Sequence, residues 1–145
     1  MKIRDILDSK KSGVVSIEPN KTVKEAMNKI IEYKIGALPV MDGDELHGII
    51  TERDIFNVVH KHGEEGLRES VQKAMTSDII IGLPDDDIDE VSSLLTQNRF
   101  RHLPVMENKK LIGIISIGDL VKAHTHNLSV ENRHLKDYIS GDYPR

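Results

Sequence analysis

The sequence predicts an α+β fold built from two copies of one β-α-β-β-α unit, packed as a pseudo-twofold pair. Three observations predict it. The phrase GIITERD at residues 48–54 returns as GIISIGD at 113–119, and ALPVM at 37–41 returns as HLPVM at 102–106. A single offset of 65 residues aligns Leu38 with Leu103, Thr51 with Ser116, Asp54 with Asp119 and Glu25 with Glu90. Each copy is only about 60 residues long, too small to bury enough surface alone, so the two copies must share their packing.

Each element has a local reason. Short apolar runs near Val14–Ile17 and Ile79–Ile81 read as the strands that open each copy. The polar turns EPNKT and LPDDD follow, where Thr22 and Asp87 stand as N-caps with Glu25 and Glu90 three residues on. The next helices carry Val23, Ala26, Met27, Ile30 and Ile31, then Ile88, Val91, Leu94 and Leu95, spaced by threes and fours. Two strands come next in each copy, ALPVMD with LHGIIT and HLPVM with LIGIIS, joined by the tight turns GDE and NKK. A last helix starts after each hydroxyl residue, near Arg53–Lys61 and Ile117–His126. The expected boundaries are unit 1 at 1–62, a polar linker at 63–70, unit 2 at 71–126 and a helical tail at 127–145. In that tail Ser129 reads as a cap, and Val130, Leu135, Tyr138 and Ile139 form a stripe.

Composition removes several function classes. The hydrophobic fraction of 38% supports a core, but aromatics at 3% and the absence of Trp make that core aliphatic. A net charge of −4 argues against a nonspecific nucleic-acid binder, which needs a basic face for phosphates. With no Cys there is no thiol nucleophile, disulfide or Cys-held metal. The N-terminal MKIRDILDSKKSG contains acids and lacks an apolar signal core, and no apolar run approaches the ~20 residues of a membrane span. A cytoplasmic protein without membrane or nucleic-acid partners is the expectation. Catalytic signatures such as G-x-S-x-G and H-E-x-x-H are absent. The pairs His60/His62 and His124/His126 are two residues apart, so each pair points to different helix faces and reads as surface, as does His134. The acids of PDDD suit a helix N-terminus. Arg99 and Arg101 alternate with Phe100, which on a strand gives one phosphate-facing side and one core side.

The repeated phrase concentrates polar groups at one spot per copy. Gly48 and Gly113 interrupt apolar strands, where glycine permits another backbone or a ligand to approach. Thr51 and Ser116 stand where strand becomes helix, so a hydroxyl can cap and first-turn N–H groups can face an anion. Asp54 and Asp119 follow three residues on, where a carboxylate can accept two hydrogen bonds from a ribose diol. Ser/Thr-x-x-Asp is also a plain capping pattern, and the residues alone leave both readings open.

The chain resembles the CBS domain, the tandem module first named from cystathionine β-synthase. The residues carrying the likeness are ALPVMDGDELHGIITERD and RHLPVMENKKLIGIISIGD, preceded by TVKEAMNKIIEYKIG and AMTSDIII. The likeness covers about residues 1–126. It implies a Bateman module, with two units packed through their sheets and two clefts that bind AMP, ADP, ATP, S-adenosylmethionine or NAD(H). Such a module senses a metabolite and signals to a partner protein. It needs no cofactor, catalytic residue or metal.

Carried over by position, the resemblance implies that Asp119 and Asp54 hold ribose, and that Ser116 and Thr51 touch ribose or phosphate. Met75, Thr76, Ile79 and Ile80 would bracket adenine. Arg101 and His102 would reach phosphate, with the uncharged Gly36 and Ala37 in the equivalent places of the first copy. Arg53 lies inside the first phrase, where the second has Ile117 and Gly118. The first copy has LDSKKSG where the second has the compact MTSD, so the Asp119 cleft is expected to be the stronger site. The resemblance also implies a homodimer. The expected contact is the apolar surface of the last helices, through Ile55, Val58, Val59, Leu120 and Val121. The rival readings are a structural dimerisation module with empty clefts and a nucleotide-hydrolysing enzyme.

Overall fold

The computed structural model describes residues 1–10 and 13–131. Its elements are α1 (Ile3–Lys10), α2 (Val23–Tyr33), β1 (Ala37–Asp42), β2 (Glu45–Thr51), α3 (Glu52–His62), a 3-10 helix (Gly63–Arg68), α4 (Val71–Ala74), α5 (Ile88–Asn98), β3 (His102–Glu107), β4 (Lys110–Ser116) and α6 (Ile117–Glu131). The fold is α+β, with two small antiparallel sheets, β1–β2 and β3–β4.

The two hairpins are copies in register as well as in sequence. Ala37 faces Thr51 in one and His102 faces Ser116 in the other. Both slip by one residue at the same place, between Val40 and Met41 and between Val105 and Met106. The slip leaves His47 and Ile112 as the extra residues of β2 and β4 and bends each strand. At the second hairpin tip Asn108 and Lys109 both adopt left-handed backbone, φ 52° and 62°. That conformation suits the type I′ geometry of a two-residue turn.

The expected opening strands at 14–17 and 79–81 do not form. Each is reduced to a single parallel bridge, Ile17 to Val40 and Gly82 to Val105. Ile17 N–H donates to Pro39 O at 3.0 Å, and Met41 N–H donates to Ile17 O at 2.8 Å. Proline stands two residues beyond each bridge, at Pro19 and Pro84. It has no N–H to extend the ladder and turns the chain away.

The first capping box forms as read. Glu25 N–H donates to Thr22 Oγ1 at 3.1 Å, and Thr22 N–H donates back to Glu25 Oε2 at 2.8 Å. That backbone bond to the Glu25 carboxylate is the main reason its pKa lies below the usual value. Asp87 makes no side-chain cap on α5. The start of the chain takes over that helix end, since Lys2 bridges Asp87 and Ile88 N–H donates to Met1 O at 3.2 Å.

That N-terminal contact reveals a crossover. One core contains Ile17, Val23, Leu38, Val40, Ile50 and Val71. The other contains Ile3 and Ile6 of α1 together with Ile88, Leu95, Leu103 and Ile115. The first helix of the chain therefore closes the second core, and Val71, which follows the 3-10 helix, closes the first. Ile3 N–H donates to Asp86 O at 3.0 Å, and Arg4 N–H to Pro84 O at 2.8 Å. The Arg4 guanidinium also reaches Glu107 Oε2 at 2.6 Å. The segment read as a linker is packed rather than loose. Gly66 is buried so closely on Val58 that a Cβ there would lie 2.6 Å from Val58 Cγ1.

Two expectations on the last helices change. α6 runs through Ser129 to Glu131, so Ser129 lies inside a helix and does not start one. The rest of the expected tail helix falls outside the described residues. Ile55, Val58 and Leu120 are buried in their own cores and not exposed for a partner. Val59 and Val121 are exposed as expected, and Phe56 and Ile117 are exposed beside them. No helix among the described residues is long and apolar enough to cross a membrane.

Candidate functional site

Glycine in the repeated phrase admits the chain itself. A Cβ on Gly48 would lie 2.5 Å from Thr76 O and 3.1 Å from Met75 Sδ. Without it, Thr76 pairs with Ile49 through two backbone bonds of 2.9 and 2.8 Å. This places Thr76 beside Asp54, and Thr76 Oγ1 donates to Asp54 Oδ1 at 3.0 Å. The other Asp54 oxygen accepts from Thr51 N–H at 2.9 Å and Thr51 Oγ1 at 3.1 Å. In the second copy Gly113 leaves room for Leu7 of α1. The same helix sends Lys10 Nζ to Asp119 Oδ2 at 2.9 Å and to Ile114 O at 2.8 Å. Asp119 Oδ2 also accepts from Ser116 N–H at 2.9 Å. Burial works against the Asp119 charge, but the Ser116 N–H and the Lys10 ammonium outweigh it and hold the carboxyl below its ordinary value.

Two cavities take up the two phrases. The first, about 480 Å³, is lined by Thr51, Asp54 and Thr76 together with Arg53, Arg99 and Arg101. Glu52, Phe56 and Phe100 also line it. The second, about 350 Å³, holds Ser116 and Asp119 with Lys10, Lys34, Val14, Val15 and Ala37. Gly36 and His102 belong to the walls of both. Both volumes lie in the range of roughly 300–1,000 Å³ typical of small-molecule sites.

The crossover redistributes the expected site residues. Thr76 of the compact MTSD lines the Asp54 cavity, and Leu7, Lys10 and Gly13 line the Asp119 cavity, so the reason for ranking the Asp119 cleft first reverses. Ile79 and Ile80 appear in neither wall, and Ile80 packs against the second core. Their counterparts one offset earlier, Val14 and Val15, line the Asp119 cavity instead. Met75 lies beneath the wall, against Gly48 and the first core.

The Arg99–Phe100–Arg101 alternation also has a different origin. Arg99 is the left-handed C-cap of α5, φ 58°, and β3 begins only at His102. The two arginines reach one cavity from a helix end and a loop. Lys10, Lys34, Glu52 and Phe56 carried no signal of a site in the sequence. The offset rule held one usable hint: Phe56 and Arg99 are the counterparts of Val121 and Lys34, and charge and shape differ at both.

The CBS-domain family model matches residues 3–61 and 69–126. Over 124 residues the chain is 30% identical to the CBS domain-containing protein YhcV of Bacillus subtilis, covering 86% of this chain and 88% of that protein. The crystal structure of the CBS-domain containing protein ATU1752 from Agrobacterium tumefaciens superposes with a TM-score of 0.82 at 41% identity, covering 86% of this chain and 99% of the other. CBSX2, solved in complex with AMP, superposes with a TM-score of 0.69 at 25% identity, covering 86% of this chain and 96% of its own. Two tandem matches, laid over two hairpins of identical register, show that the chain belongs to the CBS-domain family as a pair of CBS units.

Proposed function

We propose that the protein is a regulatory module that binds an adenosine nucleotide and signals occupancy to a separate partner protein. One observation carries the reading. The Asp54 cavity, about 480 Å³, is lined by a carboxylate and hydroxyl residues suited to ribose and by three arginines suited to phosphate. The AMP complex of CBSX2 supports the same ligand class. AMP, ADP and ATP fit the arginine-rich wall better than S-adenosylmethionine, which carries no phosphate. A cytoplasmic setting is part of the proposal.

Calorimetry tests it. AMP is expected to bind more tightly than adenosine at low salt, with the gap shrinking as salt rises, because screening weakens the arginine contacts. Equal affinity for the two at low salt would remove Arg53, Arg99 and Arg101 from phosphate binding. A purely structural module is favoured by one feature, that Thr76 and Lys10 already occupy Asp54 and Asp119. Mass spectrometry of the denatured protein separates the readings, since a ligand carrier releases an adenosine compound.

The module is also proposed to act as a homodimer. Phe56, Val59, Ile117 and Val121 leave apolar surface on α3 and α6 that the chain's own cores do not cover. Twofold pairing is the commonest closed symmetry. Light scattering after gel filtration should report twice 16.4 kDa at micromolar concentration. A mass of one chain would remove the dimer.

A further inference from the structure

His102 stands at the wall common to the two cavities. It opens β3 opposite Ser116, and the other residue shared by both walls is Gly36. The two touch. A Cβ on Gly36 would lie 3.1 Å from His102 Nε2 and 3.2 Å from Glu52 Oε1. Glycine at 36 is therefore what leaves room for both the His102 imidazole and the Glu52 carboxylate to approach the backbone at the divide.

Charged groups face this ring from several elements: Glu52 from α3, Asp119 from α6, Lys10 from α1, and Arg101 from the residue before. Beyond them, Arg53, Asp54 and Arg99 stand in the Asp54 cavity and Lys34 in the Asp119 cavity. Burial holds the imidazole below the ordinary histidine value, Glu52 and Asp119 pull the other way, and Lys10 and Arg101 add to the effect of burial.

We propose that His102 is a proton-linked anion contact shared by both cavities, so that a phosphate-bearing ligand entering either one draws a proton onto the imidazole and thereby favours an anion in the other. The proposal rests on the nucleotide-binding reading above. A phosphate adds negative charge beside a partly desolvated ring, which favours the charged imidazolium. Coupling between two bound species is reciprocal, so a proton recruited by the first ligand is already in place for the second. The sign defines a window. Below the ring's pKa in the empty protein it is charged in every state, and no proton is taken up. Above its pKa in the liganded protein it is neutral in every state. Only between the two does the first ligand assist the second.

The test follows the His102 Cε1–H signal by NMR through pH 5 to 8.5, assigned by its loss in His102→Asn. AMP is the probe. Saturating AMP is expected to raise the His102 titration midpoint by about one unit, a tenfold change in proton affinity. Calorimetry in two buffers of different ionisation enthalpy should show proton uptake near neutral pH. His102→Asn should lose the uptake yet still bind AMP. In Asp54→Ala and in Asp119→Ala, each weakened at one cavity, AMP should still shift the remaining His102 signal. A midpoint that stays fixed while calorimetry reports AMP binding overturns the inference and leaves the nucleotide reading standing. So does proton uptake that survives in His102→Asn. A shift lost in one aspartate variant alone confines His102 to one cavity and overturns the coupling. No AMP binding by folded wild-type protein overturns the reading and the inference together.

Discussion

Ile3→Ala is expected to lower the unfolding free energy by about 2–5 kcal/mol, the range for emptying a fully buried aliphatic site. Against a typical total of about 5–15 kcal/mol, that is a large share. Ile3 is 0% exposed and packs in the core that holds Leu103 and Ile115. By chain position it belongs with the first copy, so the substitution tests the crossover directly. Leu38→Ala empties an equally buried site in the other core and should cost a similar amount. The chain gives α1 to the second core, builds the first, and returns to finish the second. The first core comes from one continuous stretch, residues 15–75, but the second joins α1 to residues 80–123 and so forms only with the first unit held between its two parts. Both variants should therefore shift a single urea transition, monitored by circular dichroism, to lower midpoint with unchanged slope. Two separated transitions, with Ile3→Ala moving only one, would show that the halves unfold independently.

The same crossover explains which parts of the fold were legible in the sequence. The hairpins were, because alternation, tight turns and the repeat all act over a few residues. The box of Thr22 with Glu25 and that of Thr51 with Asp54 were, because their bonds span three residues. Asp87 was not, because its helix end is satisfied by Met1 and Lys2, more than eighty residues away in sequence. Lys10 and Asp119 meet across 109 residues, and no local pattern foretells that pairing. The offset aligns position with position but does not say whose neighbour a segment becomes. Hence analogy sets Met75 and Thr76 with the Asp119 cleft, whereas in the fold Met75 packs against Gly48 and Thr76 binds Asp54. Helical spacing likewise identified Ile55, Val58 and Leu120 as apolar without giving the direction of their face, and all three turn inward.

Asp54→Ala is expected to weaken AMP binding by about 2 kcal/mol, near 30-fold, within the range for hydrogen bonds to a charged group. The carboxylate is held in place by three donors, Thr51 N–H, Thr51 Oγ1 and Thr76 Oγ1, at 2.9, 3.1 and 3.0 Å. A ribose diol would meet an acceptor already oriented, and little ordering remains to be done on binding. The substitution also removes the carboxylate half of the capping box, leaving Thr51 as the N-cap, so a smaller loss of stability accompanies it. Asp54→Asn separates the two effects, because its amide oxygen can still accept from Thr51 N–H while the charge is lost. Asp119→Ala should behave differently. It frees the Lys10 ammonium inside its cavity, so AMP loses a ribose acceptor but gains a cation for phosphate. Its cost should be smaller for AMP than for adenosine, and smaller for AMP than that of Asp54→Ala. Calorimetry on the three folded variants, with urea curves to subtract stability, decides the order. Unchanged AMP affinity in Asp54→Ala together with a large loss in Asp119→Ala would move the principal site to the Asp119 cavity and assign the three arginines another task.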